Sequence, residues 1–295
     1  MFTYSLIIPH KNCPDLLQRC IDTIPRREDL EVIVVDDNSL QCIDESKYND
    51  LNITFVYDKS NKGAGHARNL GVEVATGKWL LFADADDRYT NNLRDLLDAY
   101  SEDTTTDIVY LNALMFDENG HYADYVIDRY INRYLQNRFY SEKVLRYSVF
   151  TPWTRMVKRD LVSLNGIRFD ETPIGNDFTF CLTCSKYAKK IAVEEKYIYE
   201  YYRPTTTLSL TDSYRKIDTL SLVISNRLKM NQIYTECGFV FKFSIIKYYF
   251  SDIKKFGKHE VNKVYKNVLK NSGYSLVRDI VNTLIYLFGK VLRIL

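Results

Sequence analysis

Three carboxylates fall within four residues at Asp84, Asp86 and Asp87, directly after the apolar run Trp79-Leu80-Leu81-Phe82-Ala83. Acids this close repel one another unless a cation relieves them. Hard oxygen donors suit Mg²⁺ or Mn²⁺, which then take phosphate oxygens as well. The same residues also suit a strand end followed by a helix cap, where aspartate is common. A second acidic pair, Asp36-Asp37, closes the run Val32-Ile33-Val34-Val35 and precedes Asn38-Ser39. A turn held by Asx and Ser side chains is the plainer alternative there. Ligands of open α/β sheets gather beyond the carboxyl ends of the strands, so two acidic strand ends on one parallel sheet would face one cleft. The segment Asn61-Lys62-Gly63-Ala64-Gly65-His66-Ala67-Arg68-Asn69 brings Lys62 and Arg68 to the start of a helix, where a diphosphate can bind. Its glycines are not a dinucleotide fingerprint. Arg68 stands where the third glycine belongs, and the loop follows the third strand rather than the first.

The elements that must position these groups alternate in type. Strands are expected at Tyr4 to Pro9, Glu31 to Asp36, Ile53 to Tyr57 and Trp79 to Ala83. Helices are expected at Pro14 to Ile24, Ala64 to Ala75 and Leu93 to Tyr100. Val32 to Val35 is apolar on both faces, as buried parallel strands are. Alternation of this kind indicates βαβ units and an α/β fold with a mostly parallel sheet flanked by helices. Beyond residue 105 the pattern is mixed. Ile108 to Met115 and Tyr122 to Ile127 read as strands, Phe178 to Ala188 as a helix, and Ile191 to Val193 and Tyr197 to Tyr202 as two short strands. The polar break from Tyr201 to Thr207 divides the chain into residues 1–210 and a helical region 211–295, whose first helix Asp212 or Ser213 would cap.

Composition narrows the field. The 295 residues include 24 Tyr and 15 Phe, too much apolar surface for a disordered chain. Six cysteines are too sparse for a disulfide scaffold, and Met1 to Pro9 lacks the features of a signal peptide, so a reducing cytosol is the expected compartment. Cys181-Leu182-Thr183-Cys184 has no second pair or spaced histidines and reads as core thiols rather than a zinc site.

Taken in order, Ser5-Leu6-Ile7-Ile8-Pro9-His10-Lys11-Asn12, Val34-Val35-Asp36-Asp37-Asn38-Ser39, Asn61-Lys62-Gly63 with Ala67-Arg68-Asn69, and Gly77-Lys78-Trp79-Leu80-Leu81-Phe82-Ala83-Asp84-Ala85-Asp86-Asp87 resemble the family 2 glycosyltransferases, over residues 3 to about 95 and more loosely to about 210. The resemblance implies a GT-A fold and inverting transfer of a sugar from a nucleotide diphosphate donor, UDP-linked by expectation. It implies that Pro9, Lys11, Asp37, Lys62, Arg68, Asp84 and Ala85 lie along the nucleotide sugar. Within that set Asp37 would face the base and Asp84 the ribose, and Asp86 would ligate Mn²⁺ or Mg²⁺. Pro152 to Leu161 resembles the acceptor-side segment, with Trp153 near the sugar. Gly175-Asn176-Asp177-Phe178 resembles the acidic catalytic motif, with Asp177 as the base and Asn176 where the family usually has Glu.

From Lys242 to Leu295 the chain carries 11 Lys+Arg against 3 Asp+Glu, whereas the remainder is net acidic. A basic tail of this kind meets an anionic surface. Residues 275–295 form an amphipathic pattern with Leu276, Val277, Ile280, Val281, Leu284 and Ile285 on one face. Three fates are open to that helix: packing on the body, a dimer seam, or the membrane interface. The basic stretch shows no recognised DNA or RNA module. The expected partners are therefore a nucleotide sugar and a glycan or lipid-linked glycan acceptor, in lipopolysaccharide, O-antigen or capsule assembly at the cytoplasmic face of the inner membrane. A second copy of the chain is a further possible partner. A nucleotidyltransferase and a non-catalytic glycan-binding scaffold are the alternatives.

Overall fold

The computed structural model describes residues 2–203, 216–239, 244–270, 272–275, 277, 279–281 and 284. The chain divides into two compact units, Met1–Thr207 and Leu208–Leu295. The proposed caps Asp212 and Ser213, and most of 275–295, lie outside the described residues.

The first unit runs β1 (Tyr4–His10), α1 (Pro14–Asp22), β2 (Leu30–Asp37), β3 (Ile53–Asp58), α2 (Ala64–Val74), β4 (Trp79–Phe82), β5 (Arg88–Tyr89), α3 (Asn92–Tyr100), β6 (Ile108–Phe116), β7 (Tyr122–Asp124), α4 (Val126–Gln136), α5 (Arg138–Ser148), β8 (Arg155–Lys158), α6 (Arg159–Leu164), α7 (Phe178–Tyr187) and β9 (Ile191–Tyr202). One sheet holds these strands in the order β3-β2-β1-β4-β8-β6-β9-β5, with β7 pairing β6. The four N-terminal strands are parallel. Every residue of β2 and β4 is buried, as sheets covered by helices on both faces require. At β8 the direction reverses, because β8 is antiparallel to both β4 and β6. Parallel pairing resumes between β6 and β9, so the sheet is mostly parallel as expected, with antiparallel pairings at β8, β7 and β5.

Two local readings were incomplete. The strand expected at Tyr122 to Ile127 ends at Asp124, and Val126 begins α4. Ile127, Ile131 and Tyr134 are buried at helical spacing, a pattern masked by the apolar residues that also fit a strand. The two short strands after residue 190 are one strand, β9. Its register against β6 shifts on both sides of Asn112, and a bulge of this kind breaks the alternation that marks a single strand.

The loops leaving β1, β2 and β3 each contain an asparagine with positive φ: Asn12 (54°), Asn38 (60°) and Asn61 (54°). Asparagine tolerates this left-handed conformation better than other non-glycine residues. All three turns lie at the carboxyl edge of the parallel strands.

The second unit contains helices Leu220–Glu236, Ile245–Phe256 and Lys258–Lys270. Leu220, Ile224, Ile245, Val261 and Tyr265 form its core. Asp252 is buried there, accepting from Tyr265 Oη at 2.6 Å and pairing with Arg227 at 3.5 Å.

Candidate functional site

The first wall of the site is built at the ends of β1 and β2. Pro9 is half-buried and pairs in register with Val35. Next to it His10 is buried and its Nδ1 lies 2.8 Å from Asp36 Oδ2. The Cys13 N–H donates to His10 Nε2, so Nδ1 carries the proton toward Asp36. Ser39 N–H also donates to Asp36. Burial alone would raise the Asp36 carboxyl, but the bonds from Ser39 and His10 outweigh it and hold it below the usual range. Asp37 is 3% exposed; it accepts from Lys11 Nζ at 3.1 Å and from the Gly63 N–H at 3.1 Å. Lys11 Nζ also reaches Asn61 Oδ1, so the loops after β1, β2 and β3 close on one another.

The second wall follows β4. Asp84 pairs with Arg68 of α2. Ala85 is buried and turns its methyl into the core. Asp87 is fully buried, accepting from Tyr199 Oη at 2.8 Å and from the Tyr202 N–H at 2.7 Å. Burial first, then the charges of Asp84 and Asp86, push its carboxyl well above the usual range. Asp86 is half-buried, and among the described residues its carboxylate has no ion pair. Burial and the neighbouring Asp84 push it up to about 6. Its backbone carbonyl is held by Arg19 of α1, whose guanidinium lies 5.1 Å over the Tyr202 ring. Lys62 is exposed at the rim, in the field of Asp58 and Glu171.

Tertiary contacts bring the segment 169–177 to this edge. Arg68 is 5% exposed and donates from Nη1 to Asn176 Oδ1 at 2.9 Å while its other arm holds Asp84. Asn69 exchanges two bonds with the Phe169 backbone, at 2.8 and 3.0 Å. His66 lies 2.9 Å from Glu171 and 3.4 Å from Asp58. Gly65 permits the approach: a Cβ there would stand 2.1 Å from the Asp170 carbonyl oxygen. Asp177 is the N-cap residue immediately before α7, yet its side chain makes no capping hydrogen bond. Burial pushes its carboxyl up to about 6, against the lowering field of Arg68. An aspartate that does not cap its helix, and that holds its proton near neutrality, has the properties of a general base.

Trp153 is 4% exposed. It stacks on Tyr199 (4.7 Å, 14°) and Tyr201 (5.4 Å, 13°), with Tyr125 at 4.9 Å. The structure thus gathers Pro9, Lys11, Asp37, Arg68, Asp84, Asp86 and Asp177 at one sheet edge. It leaves Lys62 in solvent, Ala85 in the core and Trp153 inside an aromatic cluster.

The family model described as glycosyl transferase family 2 matches residues 5–163, more than half of the chain. The chain belongs to this family. Among curated relatives, the glycosyltransferase GlyG of Streptococcus pneumoniae serotype 4 is 24% identical over 70% of this chain and 73% of its own length. Among solved structures, S. aureus TarS 1-349 superposes with a TM-score of 0.63 at 21% identity, covering 92% of this chain and 80% of that one. TarS has also been crystallised with UDP-GlcNAc, in a structure that superposes at 0.57. The mannosyltransferase PcManGT of Pyrobaculum calidifontis, in complex with GDP-Man and Mn²⁺, superposes at 0.55 with 15% identity over 97% of this chain and 80% of its own. These likenesses establish the GT-A-type fold.

No group of three or more His, Cys, Asp or Glu side chains able to hold a metal occurs among the described residues. The donor set of this family 2 enzyme nevertheless fits a hard divalent cation completed by a bound diphosphate. Mg²⁺ is commonly held by one or two carboxylates plus substrate phosphates. Asp86 offers one such oxygen donor, destabilised by neighbouring negative charge that a cation would relieve. Of the residues that shape the site, sequence reasoning missed Arg19, Gly65 and the His66–Glu171 contact. Their partners lie 67 and 105 residues away along the chain in the Arg19–Asp86 and Gly65–Asp170 pairs, and no local pattern signals them.

Proposed function

We propose that this glycosyltransferase is an inverting enzyme that transfers a sugar from a UDP-linked donor to a glycan hydroxyl. Asp177 removes the hydroxyl proton as that oxygen attacks the anomeric carbon. The bond from the anomeric carbon to the diphosphate breaks, and the nucleoside diphosphate departs with the electron pair. The observation that carries this reading is the Asp177 carboxylate, which caps nothing, is pushed up to about 6, and lies in the fields of Arg68 and Asp84.

Pro9, Lys11 and Asp37 line the nucleotide side. Asp37 already holds Lys11 and Gly63, and a carboxylate has lone pairs to spare for a base N–H. Asp84 faces the ribose, Arg68 and Lys62 the diphosphate, and Ala85 contributes its backbone. Asp86 would hold Mn²⁺ or Mg²⁺, which when bound supplies Lewis-acid stabilisation of the leaving diphosphate. Trp153 contributes on the acceptor side by backing Tyr125 and Tyr201. The complexes of TarS with UDP-GlcNAc and of PcManGT with GDP-Man and Mn²⁺ support a nucleotide-sugar donor and a divalent cation.

The acceptor is proposed to be a lipid-linked glycan of lipopolysaccharide, O-antigen or capsule assembly, met at the cytoplasmic face of a membrane. Support comes from the C-terminal unit. Val277, Ile280, Val281 and Leu284 are 71, 44, 47 and 48% exposed, whereas Asp279 is 2% exposed and accepts from the Ile246 N–H and Tyr274 Oη. An apolar face turned to solvent beside a basic stretch suits an anionic lipid interface. No described helix is long and apolar enough to cross a membrane.

The decisive experiment measures nucleoside diphosphate release from UDP-, GDP- and dTDP-sugars, with Mn²⁺ and with EDTA, in the presence of anionic vesicles and candidate acceptors. Metal-dependent release from a UDP-sugar that Asp177→Asn abolishes is the expected result. Turnover by Asp177→Asn at the wild-type rate removes Asp177 as base, and failure to bind any nucleotide sugar returns the scaffold alternative.

A further inference from the structure

Arg155 is fully buried on β8. Its Nη1 donates to the Cys181 carbonyl at 2.9 Å and its Nη2 to the Val149 carbonyl at 2.6 Å. Its guanidinium lies 5.2 Å from the centre of the Tyr110 ring. Among the described residues it forms no ion pair with a carboxylate, and its Nε has no hydrogen-bond partner. A guanidinium placed so deep without a counter-charge is costly, and buried cations are normally paired.

A second buried arginine, Arg146 of α5, defines what is unusual. Arg146 holds the other end of α7, donating to the carbonyls of Ser185, Ala188 and Lys189, where a cation suits the negative end of a helix. It also has its own counter-charge in Glu142 at 2.7 Å. Arg155 instead grips Cys181, whose N–H closes the first turn of α7 on the Asp177 carbonyl at 3.0 Å. A cation near the positive end of a helix is misplaced unless an acid there answers it. Asp177 is such an acid: its field is felt at Arg155, behind those of Cys181, Tyr110 and Cys184.

We propose that Arg155 is a positioning residue for the base: it clamps the first turn of α7 from beneath and supplies the buried positive charge against which the Asp177 carboxylate works. The inference rests on Asp177 being the base. The groups that bear on Asp177 are Arg68 from α2, Asp84 after β4, Arg155 from β8, Cys181 on its own helix and Tyr125 before α4. Arg68 is already committed to Asp84 and Asn176. Arg155 has no such competing acid, so its charge remains directed at the base when a donor occupies the edge.

The test compares Arg155→Lys, Arg155→Met and Asp177→Asn by the pH dependence of kcat at saturating Mn²⁺ and donor. Arg155→Lys should keep the wild-type acid limb. Arg155→Met should move that limb upward by about one pH unit, lowering kcat roughly fivefold at pH 6 and little at pH 8, with donor KM unchanged. If Arg155→Met does not fold, Arg155→Gln retains an N–H donor for the backbone carbonyls without the charge and is read the same way. Loss of activity that is equal at every pH, with Lys no better than Met or Gln, makes Arg155 merely structural and overturns the inference. Wild-type turnover by Asp177→Asn instead sinks the base assignment, an outcome that the Arg155 variants cannot mimic.

Discussion

Two strand ends in this molecule carry the same signal, an apolar run closing in adjacent acids, yet they have opposite electrostatic states. At the end of β2 each acid is answered. Asp36 has His10 and the Ser39 N–H, and Asp37 has Lys11 and the Gly63 N–H. After β4 the acids are answered unequally. Asp84 has Arg68, Asp87 has two hydrogen bonds, and Asp86, without an ion pair among the described residues, has only a backbone hydrogen bond and the field of Arg19 to offset burial and Asp84. The first arrangement is a finished turn that fixes the walls of a pocket. The second keeps negative charge that a cation would relieve, in line with the metal role proposed for Asp86. Acid density alone does not distinguish acids already paired within the fold from acids left open; the partners do.

The largest expected effect tests the reaction that the second arrangement serves. Asp177→Asn should lower kcat by about 10²- to 10⁴-fold, the usual weight of a positioned general base, with nucleotide binding intact in calorimetry. A loss of binding in place of rate would assign Asp177 to the donor pocket.

Asp86→Asn should lower kcat/KM by about 10²-fold or more if several kcal/mol of charge stabilisation are lost. In EDTA at pH 8 the same variant should unfold about 2–4 °C higher, because the amide removes a carboxylate that the fold disfavours. Asp36→Asn should do the reverse, lowering Tm by about 3–6 °C for the loss of charge-assisted bonds worth ~1–2 kcal/mol, with kcat changed less than threefold. Asp36 is held below the ordinary aspartate value of 3.8, so the stability it contributes is present above that pH and lost as pH falls through the lower folded value. Melting curves of the two variants that shift in the same direction would dissolve the contrast.

The gentlest test is a pH profile of the wild type. Asp177 acts as base only when ionised, and its carboxyl is pushed up to about 6. At saturating metal and donor, kcat should fall about tenfold per unit below pH 6 and level off above pH 7. A flat profile down to pH 4.5 would place the rate-limiting step outside proton removal.

Much of this arrangement is legible along the chain. Val32 to Val35 marks a strand buried on both faces, the Gly63–Asn69 stretch marks the start of α2, and Asp84 to Asp87 marks the site's acidic edge, because each signal lies within a few residues. Helix α4 was hidden, since Tyr122 to Ile127 satisfies the strand and helix periods equally over so short a span. Strand β8 was hidden because its four residues are too few to show any period.

By itself the sequence determined the alternating elements, the acidic strand ends and the motif order that marks family 2, all of which depend on spacing between near neighbours. Only the tertiary structure decided which acid is answered and which is left open. Asp87 is joined to Tyr199 across 112 positions, Arg68 to Asn176 across 108, and Arg155 to the Cys181 carbonyl of α7 across 26. Charges find partners through space after the sheet closes. Burial then fixes how strongly each is felt, and neither distance nor burial is written in the spacing of residues along the chain.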